Sequence, residues 1–171
     1  MPAKLRGVRQ AVERTSQIVD EIIATKAVRA LKSATYIIRT ESATLTPIDT
    51  STLINSQFDT VEVNGTRITG KVGYSAKYAL YVHNASGKLT GKPRSNGNGT
   101  YWSPNAEPRF LTKAADKTRS LVDSVIKKEM KMGNAPVRWN MVATNHTDRG
   151  VKFIVACVSF RVPRLRDIGS V

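Results

Sequence analysis

The sequence is short of the residues that do chemistry. It has a single cysteine, Cys157, and two histidines, His83 and His146. A lone cysteine forms no intrachain disulfide, and in an apolar run it reads as a small core residue rather than a nucleophile. Two histidines far apart have no metal-ligand spacing, and His146 falls in an expected turn. There is no G-x-x-x-x-G-K-[ST] phosphate loop and no G-x-S-x-G elbow, and Gly97-Asn98-Gly99 is an isolated loop pair. Catalysis needs convergent titratable groups, so neither an enzyme nor a bound metal or cofactor is expected. No run approaches the roughly 18 apolar residues of a membrane span and no secretory signal opens the chain. The expectation is a soluble protein made in a cytoplasm.

Acidic residues are also scarce, with Asp+Glu 13 against Lys+Arg 27, a formal charge of +14 and a pI near 10.3. Such an excess attracts nucleic acid or acidic protein surfaces, or serves solubility. A length of 171 residues with 40% hydrophobic content suits one domain with a real core.

From Val8 to Ile38, Val12, Val19, Ile23, Ala27, Leu31, Ala34 and Ile38 recur at helical spacing with no proline or internal glycine. This predicts an amphipathic helix of some 45 Å, too long for one small domain, with part of its stripe on another subunit. Lys4, Arg6 and Arg9 would form a frayed start or a basic arm. The helix should stop near Thr40 to Thr44, ahead of Pro47, and Asp49, Thr50 or Ser51 could cap a short turn carrying Leu53 inward.

Asn64-Gly65 is a strong hairpin signal. A loop of those two residues sets Val63 opposite Thr66, Glu62 opposite Arg67, Val61 opposite Ile68 and Thr60 opposite Thr69. Tyr74, Tyr78, Tyr81 and Val82 then step as a short helix, with strand as the alternative. From Ala85 to Glu107 no periodicity survives. This reads as a loop longer than an ordinary structureless connection, and so functional or disordered, basic through Lys88, Lys92 and Arg94 and tipped by Tyr101 and Trp102, able to stack on bases or to anchor a protein interface.

From Pro108 a second helix carries Leu111, Ala114 or Ala115, Leu121, Val122, Val125 and Ile126 on one side. Lys113, Lys117, Arg119, Lys127, Lys128 and Lys131 lie on the other, a face for solvent, DNA or an acidic partner, until Gly133 and Pro136 end it. Beyond it, Met141-Val142-Ala143 and the β-branched run from Val151 to Phe160 read as strands joined by a turn from Asn145 to Gly150. The tail with Arg161, Arg164 and Arg166 reads as mobile or docked on a partner. The class is α+β: a long N-terminal helix and a second helix packed on a small, mainly antiparallel sheet, with a long Gly-rich loop.

Three short motifs in this order resemble the small neck, or tail-completion, proteins of long-tailed bacteriophages. They are Pro47-x-Asp49-Thr50-x-x-Leu53-x-x-Ser56, then Tyr78-Ala79-x-Tyr81-Val82, then Pro108-x-Phe110-Leu111-x-x-Ala114. The family pattern is approximately Pro-x-Asp-Thr-Gly-x-Leu-Arg-x-Ser, Tyr-Ala-x-x-Val-Glu-x-Gly-Thr and Pro-x-Phe-Leu-x-Pro-Ala. Here Ser51 stands in place of the usual Gly, Ile54 in place of Arg, and His83-Asn84-Ala85-Ser86 in place of Glu-x-Gly-Thr. The match places a core at 1–131 and a C-terminal extension at 132–171 whose strand joins the same domain.

The resemblance implies a structural virion protein at the head-tail junction, assembled in the host cytoplasm. It would form a homo-oligomeric ring touching the head connector and the tail-terminator or tail-tube proteins, with genome dsDNA in the lumen. It also implies that Asp49, Thr50 and Ser56 fix a turn presenting the hairpin, while Leu53, Tyr78, Tyr81 and Phe110 anchor the core. A basic DNA-binding protein, and a morphogenesis factor absent from the mature particle, are the alternatives.

Overall fold

The computed structural model describes residues 8–65, 67–130, 139–148 and 151–161. Helix α1 runs Val8–Leu45 and is followed by a single turn, α2 (Thr52–Asn55), and a hairpin, β1 (Gln57–Asn64) and β2 (Arg67–Tyr74). A short helix, α3 (Ala79–Asn84), precedes the loop, and then come α4 (Phe110–Glu129), β3 (Trp139–Asp148) and β4 (Val151–Arg161). All three strand pairings are antiparallel, in the order β1-β2-β4-β3. The fold is α+β, with α1 and α4 against each other and against one face of the sheet.

Alternation along the strands explains the layering, because successive side chains point to opposite faces. On β2, Ile68, Val72 and Tyr74 are buried, and on β4 Ile154, Ala156 and Val158 lie directly across from Tyr74, Val72 and Gly70. This face meets Ala27, Leu31, Ala34 and Ile38 of α1 and Val122 and Ile126 of α4 in one core cluster. Gly70 is required by the close approach of α1, since a Cβ there would lie 2.6 Å from Thr35 Cγ2. Strands β3 and β4 are integral to the sheet: β4 pairs with β2 along eight residues, from Arg67↔Arg161 to Tyr74↔Ile154.

Several expectations need correction. Helix α1 extends to Leu45, 38 residues or about 57 Å, because Thr46 caps its end with a hydroxyl donated to the Ser42 carbonyl at 2.6 Å. Asn64 pairs with Arg67, and Gly65 sits at φ 59°. Each partner is displaced by two residues, which preserves the faces. Val63 therefore meets Ile68, Val61 meets Gly70, and Glu62 meets Thr69 while its carboxylate takes Lys71 at 2.6 Å.

Tyr74 belongs to β2 instead of a helix. Its hydroxyl lies 3.0 Å from Ser42 Oγ and 2.7 Å from Thr46 Oγ1, and it accepts from Gln57 Nε2 at 3.0 Å. Since Thr46 gives its own proton to the Ser42 carbonyl, Tyr74 is the donor to Thr46. Burial pushes the Tyr74 phenol above its usual pKa, with the hydrogen bonds opposing.

On α4, Leu121 is exposed and the inward position belongs to Thr118, whose hydroxyl donates to the Ala114 carbonyl at 2.7 Å. Residues Asn145 to Asp148 continue the β3 ladder, so His146 lies in a strand opposite Phe153 rather than in a turn. Lys4, Arg6, Lys131, Gly133, Pro136, Arg149, Gly150, Arg164 and Arg166 lie outside the described residues.

Candidate functional site: a cleft between the turn, the short helix and the loop arm

The loop is not structureless. Gly91 N–H donates to the Trp102 carbonyl at 3.1 Å, Tyr101 N–H to Lys92 at 3.0 Å and Arg94 N–H to Gly99 at 2.9 Å. With bridges Thr90↔Trp102 and Pro93↔Thr100, the segment is a narrow hairpin-like arm. Gly91, Gly97 and Gly99 all have φ between 70° and 74°, a region glycine enters without a steric penalty. Periodicity missed the arm because its order comes from these left-handed turns and not from apolar alternation.

The arm folds back on the turn after α1. Arg94 meets Asp49 at 2.8 Å and lies 6.0 Å from the centre of the Tyr101 ring, and Tyr101 is held below its usual pKa, chiefly by a hydrogen bond from Ser95. Glu107 N–H donates to the Leu45 carbonyl at 3.0 Å, closing the base of the loop against the end of α1. The result is a half-open cleft of about 360 Å³ lined by Pro47, Asp49, Thr50, Thr52, Leu53, Tyr78, Val82, Tyr101 and Trp102. Residues from three separate stretches of sequence therefore share one surface.

Among the motif residues, Pro47, Leu53, Ala79, Phe110 and Leu111 are buried, whereas Tyr78 and Tyr81 are 42% and 76% exposed. The tyrosines are not core anchors. On the short α3 the inward positions, four apart, are Ala79 and His83, so Tyr78 turns to the cleft and Tyr81 to solvent. Ser56 donates to the Leu53 carbonyl at 2.7 Å and its own carbonyl accepts Ser75 N–H at 3.0 Å, tying the turn to the end of β2. Thr50 and Thr52 hydroxyls are 2.9 Å apart. No side chain caps α2; Ser51 occupies that position at φ 59°, in the left-handed region.

His83 is a buried group that sequence reasoning left unassigned. It is 5% exposed, its ring stands edge-on to Phe110 with centroids 5.0 Å apart, and Nε2 lies 3.3 Å from Thr112 Oγ1 while Nδ1 has no partner. Burial first, then the nearby Arg109 charge, lowers its pKa to about 4. Tyr74 meets the other side of the aromatic set, edge-on to Phe110 at 5.1 Å.

The lysine face of α4 is largely engaged within the chain. Lys113 pairs with Glu107 at 2.5 Å, Lys117 with Glu41 at 2.5 Å and Lys127 with Asp123 at 2.5 Å, and Lys128 is exposed. The Glu41 contact also holds Lys117 above its usual pKa. Lys88 and Lys92 on the arm are exposed and have no acidic partner among the described residues.

Cys157 is half-buried on β4, its thiol pushed up by burial. Among the described residues no cluster of His, Cys, Asp or Glu is placed to hold a metal ion, and no helix is long and apolar enough to cross a membrane. Comparisons with protein-family models, curated proteins and solved structures find no match.

Proposed function

We propose that this chain is a structural protein of a long-tailed phage neck, forming a ring that joins the head connector to the tail around the DNA channel. The observation that carries the reading is the convergence of the motif positions. Pro47, Asp49, Thr50, Leu53, Tyr78 and Val82, which carry the resemblance, line one cleft together with the arm. Ser51 adds to it: the position where the resembled pattern has Gly is left-handed here, which is what a glycine-preferring turn requires. A preformed cleft and a pinned arm suit a static joint between proteins.

The DNA-binding alternative draws on the +14 charge, but Lys113, Lys117 and Lys127 have carboxylate partners, which weakens it. Disrupting the gene in the phage that carries it tests the proposal. The expected result is DNA-filled heads and complete tails that do not join, with the protein found at the junction of wild-type particles. Intact infectious particles would refute it, and a requirement for assembly without presence in the particle would mark a morphogenesis factor instead. Tight, steeply salt-dependent binding of short duplexes by the isolated chain would favour the DNA-binding reading.

A further inference from the structure

Helix α1 carries a long stretch without acid. Residues 22–40 hold Lys26, Arg29, Lys32 and Arg39 and no aspartate or glutamate. Arg39 is used within the fold, bonded to Asp59 at 2.6 Å and to Gln57 at 3.4 Å. Lys26, Arg29 and Lys32 stand three residues apart, and none has an acidic partner among the described residues. At about 100° per residue the three fall on the side of α1 opposite the buried stripe of Ala27, Leu31, Ala34 and Ile38. That side is open: Thr25, Arg29 and Lys32 are exposed, Lys26 and Ser33 are half-exposed, and Tyr36 is 65% exposed.

Such a row works against its own helix, because like charges one turn apart repel. Elsewhere in the fold Lys71, Arg94, Lys113, Lys117 and Lys127 each meet a carboxylate; here the repulsion is left standing, and a bound polyanion would offset it. The composition of the face selects the polyanion. Between the cations lie only hydroxyls, from Thr25, Ser33 and Tyr36, and Lys, Arg, Ser, Thr and Tyr are the side chains that hold nucleic-acid phosphates. A protein partner would call for an apolar centre within the patch, and the exposed isoleucines Ile18 and Ile22 lie nearer the N-terminus than this row. With no glycine or proline from Val8 to Leu45, the helix presents the row on a stiff rod, with Lys26 and Tyr36 about 15 Å apart along its axis.

We propose that this face of α1 is a sequence-independent contact for the phosphate backbone of duplex DNA. Lys26, Arg29 and Lys32 neutralise phosphates and the Tyr36 hydroxyl donates to one. The proposal rests on the ring reading above, which puts a duplex in the lumen, and it assigns the surface of each copy that meets it.

Fluorescence anisotropy of a labelled 20-base-pair duplex, titrated with the purified full chain at several NaCl concentrations, tests it. The wild type should bind two unrelated sequences alike and weakly, with a dissociation constant of about 10⁻⁶–10⁻⁴ M at physiological salt. Each neutralised phosphate contributes about −0.9 to the slope of log affinity against log salt. Lys26→Gln/Arg29→Gln/Lys32→Gln should therefore flatten that slope by about 2.7 and weaken binding at least tenfold at low salt. Glutamine is a good helix former, and circular dichroism melts confirm the fold; Arg29→Gln/Lys32→Gln, at two exposed positions, carries the same test without Lys26. The arm variant Lys88→Gln/Lys92→Gln should lose less than twofold. A wild type that ignores DNA at low salt, an unchanged slope in the α1 variants, or an equal loss in the arm variant overturns the contact. Loss of binding to polyglutamate with DNA binding intact would also overturn it and make the occupant an acidic protein. If the duplex assay fails while the protein is found at the head-tail junction, the ring reading survives and only this face is wrong; if it succeeds while gene disruption leaves intact particles, the face stands and the ring falls.

Discussion

Lowering the pH from 7 to 5 should cost the fold about 2 kcal/mol through His83 alone. In the unfolded chain its imidazole titrates near 6.5, whereas in the folded protein it is held at about 4. The unfolded state therefore binds a proton that the native state refuses. The stability this group contributes is complete above about pH 6.5 and drains away as pH falls toward 4. Each unit of difference is worth about 1.4 kcal/mol, so the loss is about 2 kcal/mol at pH 5 and about 3 at pH 4. The cause is structural: protonation would place a cation in a buried position near the Arg109 charge, with Nδ1 lacking an acceptor. Urea unfolding at pH 7, 6 and 5, on wild type and on His83→Gln, measures it. The wild type should lose stability across this window and the variant much less, while NMR should show the His83 ring neutral at pH 5. A His83 titration near 6.5, or equal pH slopes for the two proteins, would refute the reasoning.

Ser51→Gly should stabilise the protein by about 1 kcal/mol, because a side chain at φ 59° carries a left-handed penalty that glycine escapes; a lower melting temperature would argue against it. Tyr74→Phe should cost about 1 kcal/mol in denaturant unfolding, since Thr46 loses a donor and Gln57 an acceptor. Gly70→Ala should cost about 1–3 kcal/mol by overpacking, the new methyl meeting Thr35 Cγ2, whose branched side chain has little room to turn; an unchanged unfolding midpoint would show that α1 can shift away.

Helical spacing found α1 and α4 because their buried residues recur on one stripe, and β-branched runs found the strands because a buried strand needs no charge. Register was harder. Asn64-Gly65 is a strong turn signal, yet the ladder is shared with β4 across β2 and is constrained by Gly70 beneath α1, a tertiary contact that no local signal carries. Tyr74 was misplaced for a similar reason. Its spacing to Tyr78 and Tyr81 is helical, but Ser42, Thr46 and Gln57, which receive its hydroxyl, are distant in the chain. The motif residues were legible singly and the cleft was not, since it exists only once Arg94 reaches Asp49.

The distribution of charge argues further than its sum. Asp49, Asp59, Glu41, Glu62, Glu107 and Asp123 each have a basic partner. Exposed pairs of this kind contribute little to stability individually, but they decide which cations remain available to a partner. The α4 lysines that look like a DNA face in the sequence are mostly committed to Glu107, Glu41 and Asp123. The arm lysines Lys88 and Lys92 are exposed with no acidic partner among the described residues. The arm is also ordered before any partner arrives, by its own backbone bonds and by the Asp49 contact, so binding there avoids much of the ordering cost that a flexible loop would impose. Removing that anchor with Asp49→Ala should therefore leave the melting temperature nearly unchanged while increasing hydrogen exchange of the arm amides from Gly91 to Tyr101. Exchange identical to wild type would show that the backbone ladder alone holds the arm.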